Sequence, residues 1–238
     1  MKIALIADLH GNKPATEALE RDLQIQKPDL IYCLGDIVGK GPSSDFTFDW
    51  ALRHSDLILA GNWDIGVGKK LFAQNDHPYF DQLGEERMNK LLTFPIEHEI
   101  MMSGRRIRLF HGRPLMKELI MIHHERDLIA PFFFDNQGDA YDVVAYADAH
   151  RQGVRTVSMQ SMHPQDANSM DRYGQGSHSG IFLNTGSVGN AMGVAKCCYA
   201  IIEGEMGEGV GAKDGSQNQK GDSPDISKEK SKAPNEKG

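Results

Sequence analysis

A chain of 238 residues, 39% of them hydrophobic, is long enough to bury one sizeable core. Its formal net charge of -7 gives no broad electrostatic reason for nucleic acid as a partner, although a locally basic groove stays open. No apolar run approaches the ~20 residues that span a bilayer, and the opening Met1-Lys2-Ile3-Ala4-Leu5-Ile6-Ala7-Asp8 is too short in apolar residues for a signal peptide. Three cysteines, with Cys197 and Cys198 adjacent, make no disulfide framework. A reduced, cytoplasmic protein with buried thiols and no membrane partner is expected.

The first 65 residues alternate two patterns. Lys2 to Ala7 is a short apolar run that reads as a buried strand. Pro14 opens a helical stretch with Ala15, Ala18, Leu19 and Leu23 at helix spacing, and Pro28 lies just past its end. Asp29 to Leu34 reads as a second strand, Ser43 to His54 as a helix and Asp56 to Ala60 as a third strand. Strand, helix, strand, helix, strand predicts a parallel sheet with right-handed crossovers. Sites in such sheets form beyond the carboxyl ends of the strands.

Tyr79 to Leu92 is a loosely amphipathic helix, carrying Phe80, Leu83, Met88 and Leu91. Glu97 to Met102 and Arg105 to Phe110 flank Ser103-Gly104, a two-residue hairpin signal. Further strands are expected at Asp142 to Tyr146, Val154 to Met159, Ile181 to Asn184 and Lys196 to Ile202, forming a second, mixed or antiparallel sheet packed on the first. Gln160 to Ser179 is polar and reads as a long loop. Glu203 to Gly238, dominated by Gly, Lys, Glu, Asp and Ser, cannot offset its ordering entropy and is expected to be a disordered tail behind a single domain of residues 1–202.

Chemistry concentrates at the strand ends. Asp8 and His10 sit two apart after the first strand, Asp36 follows the second inside Gly35-Asp36, and Asn62 follows the third inside Gly61-Asn62-Trp63-Asp64. His111 ends a later strand, and His150 follows the run through Val143 and Val144. Singly, each has an ordinary reading: Gly-Asp and Gly-Asn are common turns, and a lone histidine is more often packed or exposed than a ligand. Carboxylate, imidazole and amide oxygen on successive strand ends make a divalent-metal composition, suited to Mn, Fe, Zn or Ni.

Taken in order, these segments resemble the calcineurin-like metallophosphoesterases. The matching stretches are Asp8-Leu9-His10-Gly11-Asn12, Gly35-Asp36-Ile37-Val38-Gly39, Gly61-Asn62-Trp63-Asp64, His111-Gly112-Arg113-Pro114 and Ala147-Asp148-Ala149-His150. Asn184-Thr185-Gly186-Ser187-Val188-Gly189 is similar to a loop of the small bacterial and archaeal phosphodiesterase branch. The resemblance spans residues 1 to about 202. It implies a four-layer αββα sandwich, two mixed β-sheets flanked by helices. It also implies two divalent ions, Mn first and Fe, Ni or Zn as alternatives. One ion would be held by Asp8, His10, Asp36 and His150. The other would be held by Asp36, Asn62, His111 and Asp148. Two cations ~3.5–4 Å apart would share a hydroxide that attacks a small phosphate ester. Within that resemblance Asp36, Asn62 and Asp64 are the candidate catalytic residues, and Asn62 and Arg113 the candidate phosphate contacts. A homo-oligomer is left open.

Two positions depart from the family's commonest pattern. Trp63 stands where a histidine usually assists the leaving group, and an indole donates a hydrogen bond but is no acid near neutral pH. Such assistance is worth ~10²–10⁴-fold. Asp148 replaces a metal-binding histidine with a hard oxygen ligand, which favours Mn or Mg. The alternative is a weakened site on a fold that serves as a protein-binding scaffold.

Overall fold

The computed structural model describes residues 1–72, 78–160 and 177–207. Strand β1 (Lys2–Ile6) pairs in parallel with β2 (Leu30–Cys33), which pairs in parallel with β3 (Leu57–Ile58). Helices α1 (Lys13–Gln26) and α2 (Ser44–His54) are the crossovers between them. The start of α1 follows from local chemistry. Asn12 Oδ1 accepts the Ala15 N–H at 3.2 Å, and Pro14 occupies the first turn, where a missing N–H costs nothing. At its other end Lys27 turns left-handed and Pro28 blocks continuation.

The Ser103-Gly104 turn closes a hairpin between β4 (Glu97–Met102) and β5 (Arg105–Phe110), both residues having positive φ as a tight two-residue turn requires. Then β5 pairs in parallel with β6 (Val143–Tyr146) and β6 in parallel with β8 (Ser177–Asn184), while β7 (Gly153–Gln160) lies antiparallel on the edge. The sheet orders are β3-β2-β1-β9 and β4-β5-β6-β8-β7, where β9 (Ala200–Glu203) runs antiparallel to β1.

The two-residue period of a strand sorts side chains between layers. Ile3 and Leu5 of β1 face the second sheet, with Ile100, Ile107, Leu109 and Ala145, while Ala4 and Ile6 pack on the helices with Leu19, Trp50, Val67 and Leu91. On the far side of the second sheet, Phe110, Val144, Tyr146 and Phe182 pack against Ile129 of α5 (Arg126–Ile129) and Phe133 of a 3-10 turn. The result is the expected order of helix, sheet, sheet, helix around two mixed sheets. In addition, a short helix α3 (Asn62–Gly68) precedes α4 (Pro78–Leu91).

Some boundaries differ from the sequence reading. The hairpin of β7 and β8 extends to Gln160 and Ser177, because antiparallel pairing carries the polar ends of both strands beyond their apolar centres. Only residues 161–176 of the expected loop lie outside the described residues. The expected tail starts later than Glu203, which is still in β9. Glu205 N–H reaches Ser103 Oγ at 3.0 Å, and Met206 bridges Met102. Residues 208–238 lie outside the described residues. Among the described residues no helix is long and apolar enough to cross a membrane. The three cysteines are free thiols, with Cys33 buried.

Candidate metal centre

Parallel pairing sets the carboxyl ends of β1, β2 and β3 on one side of the first sheet, and those of β5, β6 and β8 on one side of the second. Asp8 and His10 leave β1, Asp36 leaves β2, His111 leaves β5, and Asp148 and His150 leave β6. Five of these six turn through the left-handed region, with φ of 56° at Asp8, 47° at His10, 54° at Asp36, 60° at Asp148 and 56° at His150. Non-glycine residues rarely adopt that region, and such strain persists where surrounding structure over-determines it, typically at functional sites.

Three histidines are held alike. Nδ1 of His10 donates to Val38 O at 3.2 Å, that of His111 to Leu34 O at 2.9 Å, and that of His150 to Asn190 O at 2.7 Å. With Nδ1 held by a carbonyl, each ring turns Nε2 inward, the arrangement that orients metal-binding imidazoles. Asp8 Oδ1 lies 3.6 Å from His10 Nε2 and 3.4 Å from His150 Nε2. Asp36 Oδ2 lies 3.3 Å from His111 Nε2 and 3.5 Å from His10 Nε2. Two groups therefore have ligand atoms within 4.8 Å of one another, Asp8-His10-His150 and Asp8-Asp36-His111.

Among the described residues six buried side-chain polar atoms lack a hydrogen-bond partner, and five belong to this cluster. They are both oxygens of Asp8, Asp36 Oδ2, Asn62 Oδ1 and His111 Nε2. Burying such atoms unpaired costs about 1–3 kcal/mol each, more when charged, so a set of them aimed at one space fits a cation.

The electrostatics of the metal-free protein agree. Burial, with Asp36 and Asp148 adding to it, raises Asp8 well above the usual carboxylate range. Burial opposes a charged His111, yet Asp36, Asp8 and Asp148 hold it up at about 10. Burial also keeps His10 neutral, lowering it to about 3. Substituting Asp8→Asn is expected to raise the melting temperature of metal-stripped protein by several degrees at neutral pH, since it removes a buried carboxyl that must bind a proton or stay charged without a partner on folding, a cost of about 1–3 kcal/mol, at a φ that asparagine tolerates. It should also weaken divalent-metal binding. Thermal denaturation in chelator, beside a metal titration, reads both effects.

The neighbouring residues divide into those that face the centre and those that support it. Asp64 is buried, and its carboxylate accepts N–H bonds from Asp36 at 2.7 Å, Gly61 at 2.9 Å, Ile37 at 3.0 Å and Val38 at 3.4 Å. It caps α3 and braces the Asp36 turn, so it positions and does not face the centre. Burial and the nearby Asp36 raise it to about 7, against those N–H bonds. Gly61 has no alternative, because a Cβ there would overlap the Asp36 carboxylate. Asn12, in the same motif as Asp8 and His10, caps α1 and donates to Gly189 O at 2.6 Å. The 184–189 loop stands behind the centre, where Ser187 Oγ donates to Asp8 O at 3.1 Å and Gly189 N–H to the same oxygen at 2.8 Å.

Two cationic side chains lie against candidate ligands. Arg113, a candidate phosphate contact, forks onto Asp148, with Nη2 at 2.6 Å from Oδ1 and Nε at 2.8 Å from Oδ2. Lys40 is partly buried and donates to His10 Nε2 at 2.9 Å and His150 Nε2 at 3.1 Å. Only its placement in the turn after Asp36 hinted at this. The Trp63 ring lies 5.9 Å from that of His10 and 4.7 Å from that of Phe72, and the Trp63 backbone N–H donates to Asp36 Oδ1 at 2.8 Å. His54, His98 and His178 pack or bond elsewhere, on Trp50, Tyr32 and Tyr141 O. His77 and His163 lie outside the described residues.

The model of the calcineurin-like phosphoesterase superfamily domain matches residues 1–207. The chain belongs to that superfamily. It is 23% identical over 214 residues to an uncharacterized protein of Methanocaldococcus jannaschii, covering 84% of this chain and 82% of that one. Its fold is similar to a metallophosphoesterase from Sphaerobacter thermophilus, with a TM-score of 0.61, 22% identity, and 85% and 84% of the two chains covered. It is also similar to a hypothetical protein from Pyrococcus horikoshii, with a TM-score of 0.55, 17% identity, and 87% and 89% covered. Membership supports a phosphoric ester hydrolase that uses divalent metal.

Proposed function

We propose that this superfamily member is a two-metal phosphodiesterase acting on a small phosphate ester. The observation that carries this reading is the group of unpaired buried donor atoms on Asp8, Asp36, Asn62 and His111. Asp8, His10, Asp36 and His150 would hold one ion, and Asp36, Asn62, His111 and Asp148 the other, with Asp36 shared. Their oxygen and imidazole donors favour Mn, then Fe, Ni or Zn. Such ions neutralise phosphoryl charge and lower the pKa of water.

The chain itself contributes position and exclusion. Asp64 fixes the turn that aims Asp36, and the three backbone carbonyls fix the imidazoles. Asn62 presents an amide at the start of α3, its Oδ1 buried and unpaired. Trp63 packs beside His10 and supplies no acid, so esters with good leaving groups suit this centre best. The purified protein is expected to turn over bis-p-nitrophenyl phosphate faster than p-nitrophenyl phosphate when supplied with Mn. Absence of turnover with Mn, Ni, Fe and Mg alike would remove the enzyme reading.

The Asp148–Arg113 fork and the Lys40 contacts favour one second reading, a weakened centre on a protein-binding scaffold. Metal analysis of the protein as isolated separates the two. Near-stoichiometric metal counts against a scaffold.

A further inference from the structure

Asp148 is unlike every other ligand candidate in the centre. The inward atoms of Asp8, Asp36, Asn62 and His111 are buried and unpaired, Lys40 reaches Nε2 of His10 and His150, and the carbonyl partners of the three histidines hold the outward nitrogen. A supporting residue of that kind leaves the ligand atom free. Asp148 has no free side. Its Oδ2 accepts from Arg113 N–H at 3.1 Å and Nε at 2.8 Å, and Oδ1 accepts from Nη2 at 2.6 Å. Oδ1 is also the oxygen that lies 3.9 Å from His111 Nε2, so the shortest bond falls on the atom nearest the centre. This bidentate fork is the strong form of the carboxylate–arginine pair.

Asp148 cannot easily yield. It is 4% exposed, its backbone is held at a φ of 60°, and its Cβ lies against Gly112, where an added Cβ would come within 2.6 Å of it. Arg113 can yield, because its side chain is 40% exposed and reaches the carboxylate from the solvent side. Resting on the two-metal reading above, we propose that Arg113 and the second cation compete for Asp148, so that Arg113 sets how readily that half of the centre fills. The Asp8, His10 and His150 half meets a different cation, Lys40, whose single ammonium donates to His10 Nε2 at 2.9 Å and His150 Nε2 at 3.1 Å, a weaker hold than a fork on a carboxylate and one that a change at Arg113 leaves in place. Competition of this kind is reciprocal: a bound ion loosens the fork as much as the fork loosens the ion.

Calorimetric titration of Mn into metal-stripped full-length protein, with metal counting after dialysis, tests this. Wild type is expected to take up one ion tightly and a second weakly. In Arg113→Met the second step should tighten by about 10–100-fold, the range over which residues around a ligand alter metal affinity, while the first step stays unchanged. Arg113→Lys keeps the charge without the fork and should fall between them. A second step that is unchanged or weaker in Arg113→Met overturns the proposal and makes Arg113 a bystander or an orienting group, with the two-metal reading intact. A single binding step in both proteins overturns the competition together with the second ion. Failure of both proteins to bind any Mn instead defeats the functional reading itself.

Discussion

Replacing Asp36 by asparagine is expected to lower kcat/KM on bis-p-nitrophenyl phosphate by at least about 10³-fold, the several kcal/mol that cations contribute to such a transition state. The geometry makes this a clean substitution. Asp36 Oδ1 accepts the Trp63 N–H at 2.8 Å, a bond that asparagine retains. Oδ2 is the buried, unpaired atom beside His111 and His10, where asparagine would direct an N–H₂ donor at the proposed cations. The φ of 54° suits asparagine as well as aspartate. Folding should therefore survive while metal content falls. Kinetics with Mn, read beside metal analysis and a melting curve, check both halves, and activity near that of wild type would rule out the shared-ligand role.

The second large effect falls on stability. Asp64→Ala is expected to destabilise the fold by about 3 kcal/mol or more, because four buried backbone N–H groups lose their acceptor. In a domain of this size that corresponds to a fall of roughly 6–12 °C in melting temperature. Asp64→Asn should also destabilise, since its amide turns a donor toward other donors. Asp36 rides on the same turn, so metal affinity should fall with stability in both variants. Thermal melts and metal titrations of the pair provide the check. A melting temperature unchanged in Asp64→Ala would mean that the turn is held by other contacts.

Both effects trace to residues named from the sequence, though not in equal detail. Asp8, His10, Asp36, His111 and His150 were legible because each follows an apolar run, and a parallel sheet delivers all such ends to one edge. Asp64 was legible only as a candidate catalytic residue beside Asn62. Three of its four N–H bonds come from Asp36, Ile37 and Val38, 26 to 28 positions away, and no local pattern encodes those partners.

The sequence by itself determined the strand and helix alternation, the tight turn at Ser103-Gly104 and the kinds of ligand at each strand end. These depend on side-chain period, turn chemistry and the donor atoms a residue carries, all of which are local properties. Tertiary structure alone decided that β9 closes the first sheet beside β1, that five ligand candidates sit at left-handed backbone angles, and that Lys40 lies between His10 and His150. It also decided that Arg113 is turned onto Asp148 and away from an expected phosphate. An arginine fork binds carboxylate and phosphate with the same geometry, so its partner is settled by which anion the fold places within reach. Here that anion is a carboxylate 35 residues further along the chain.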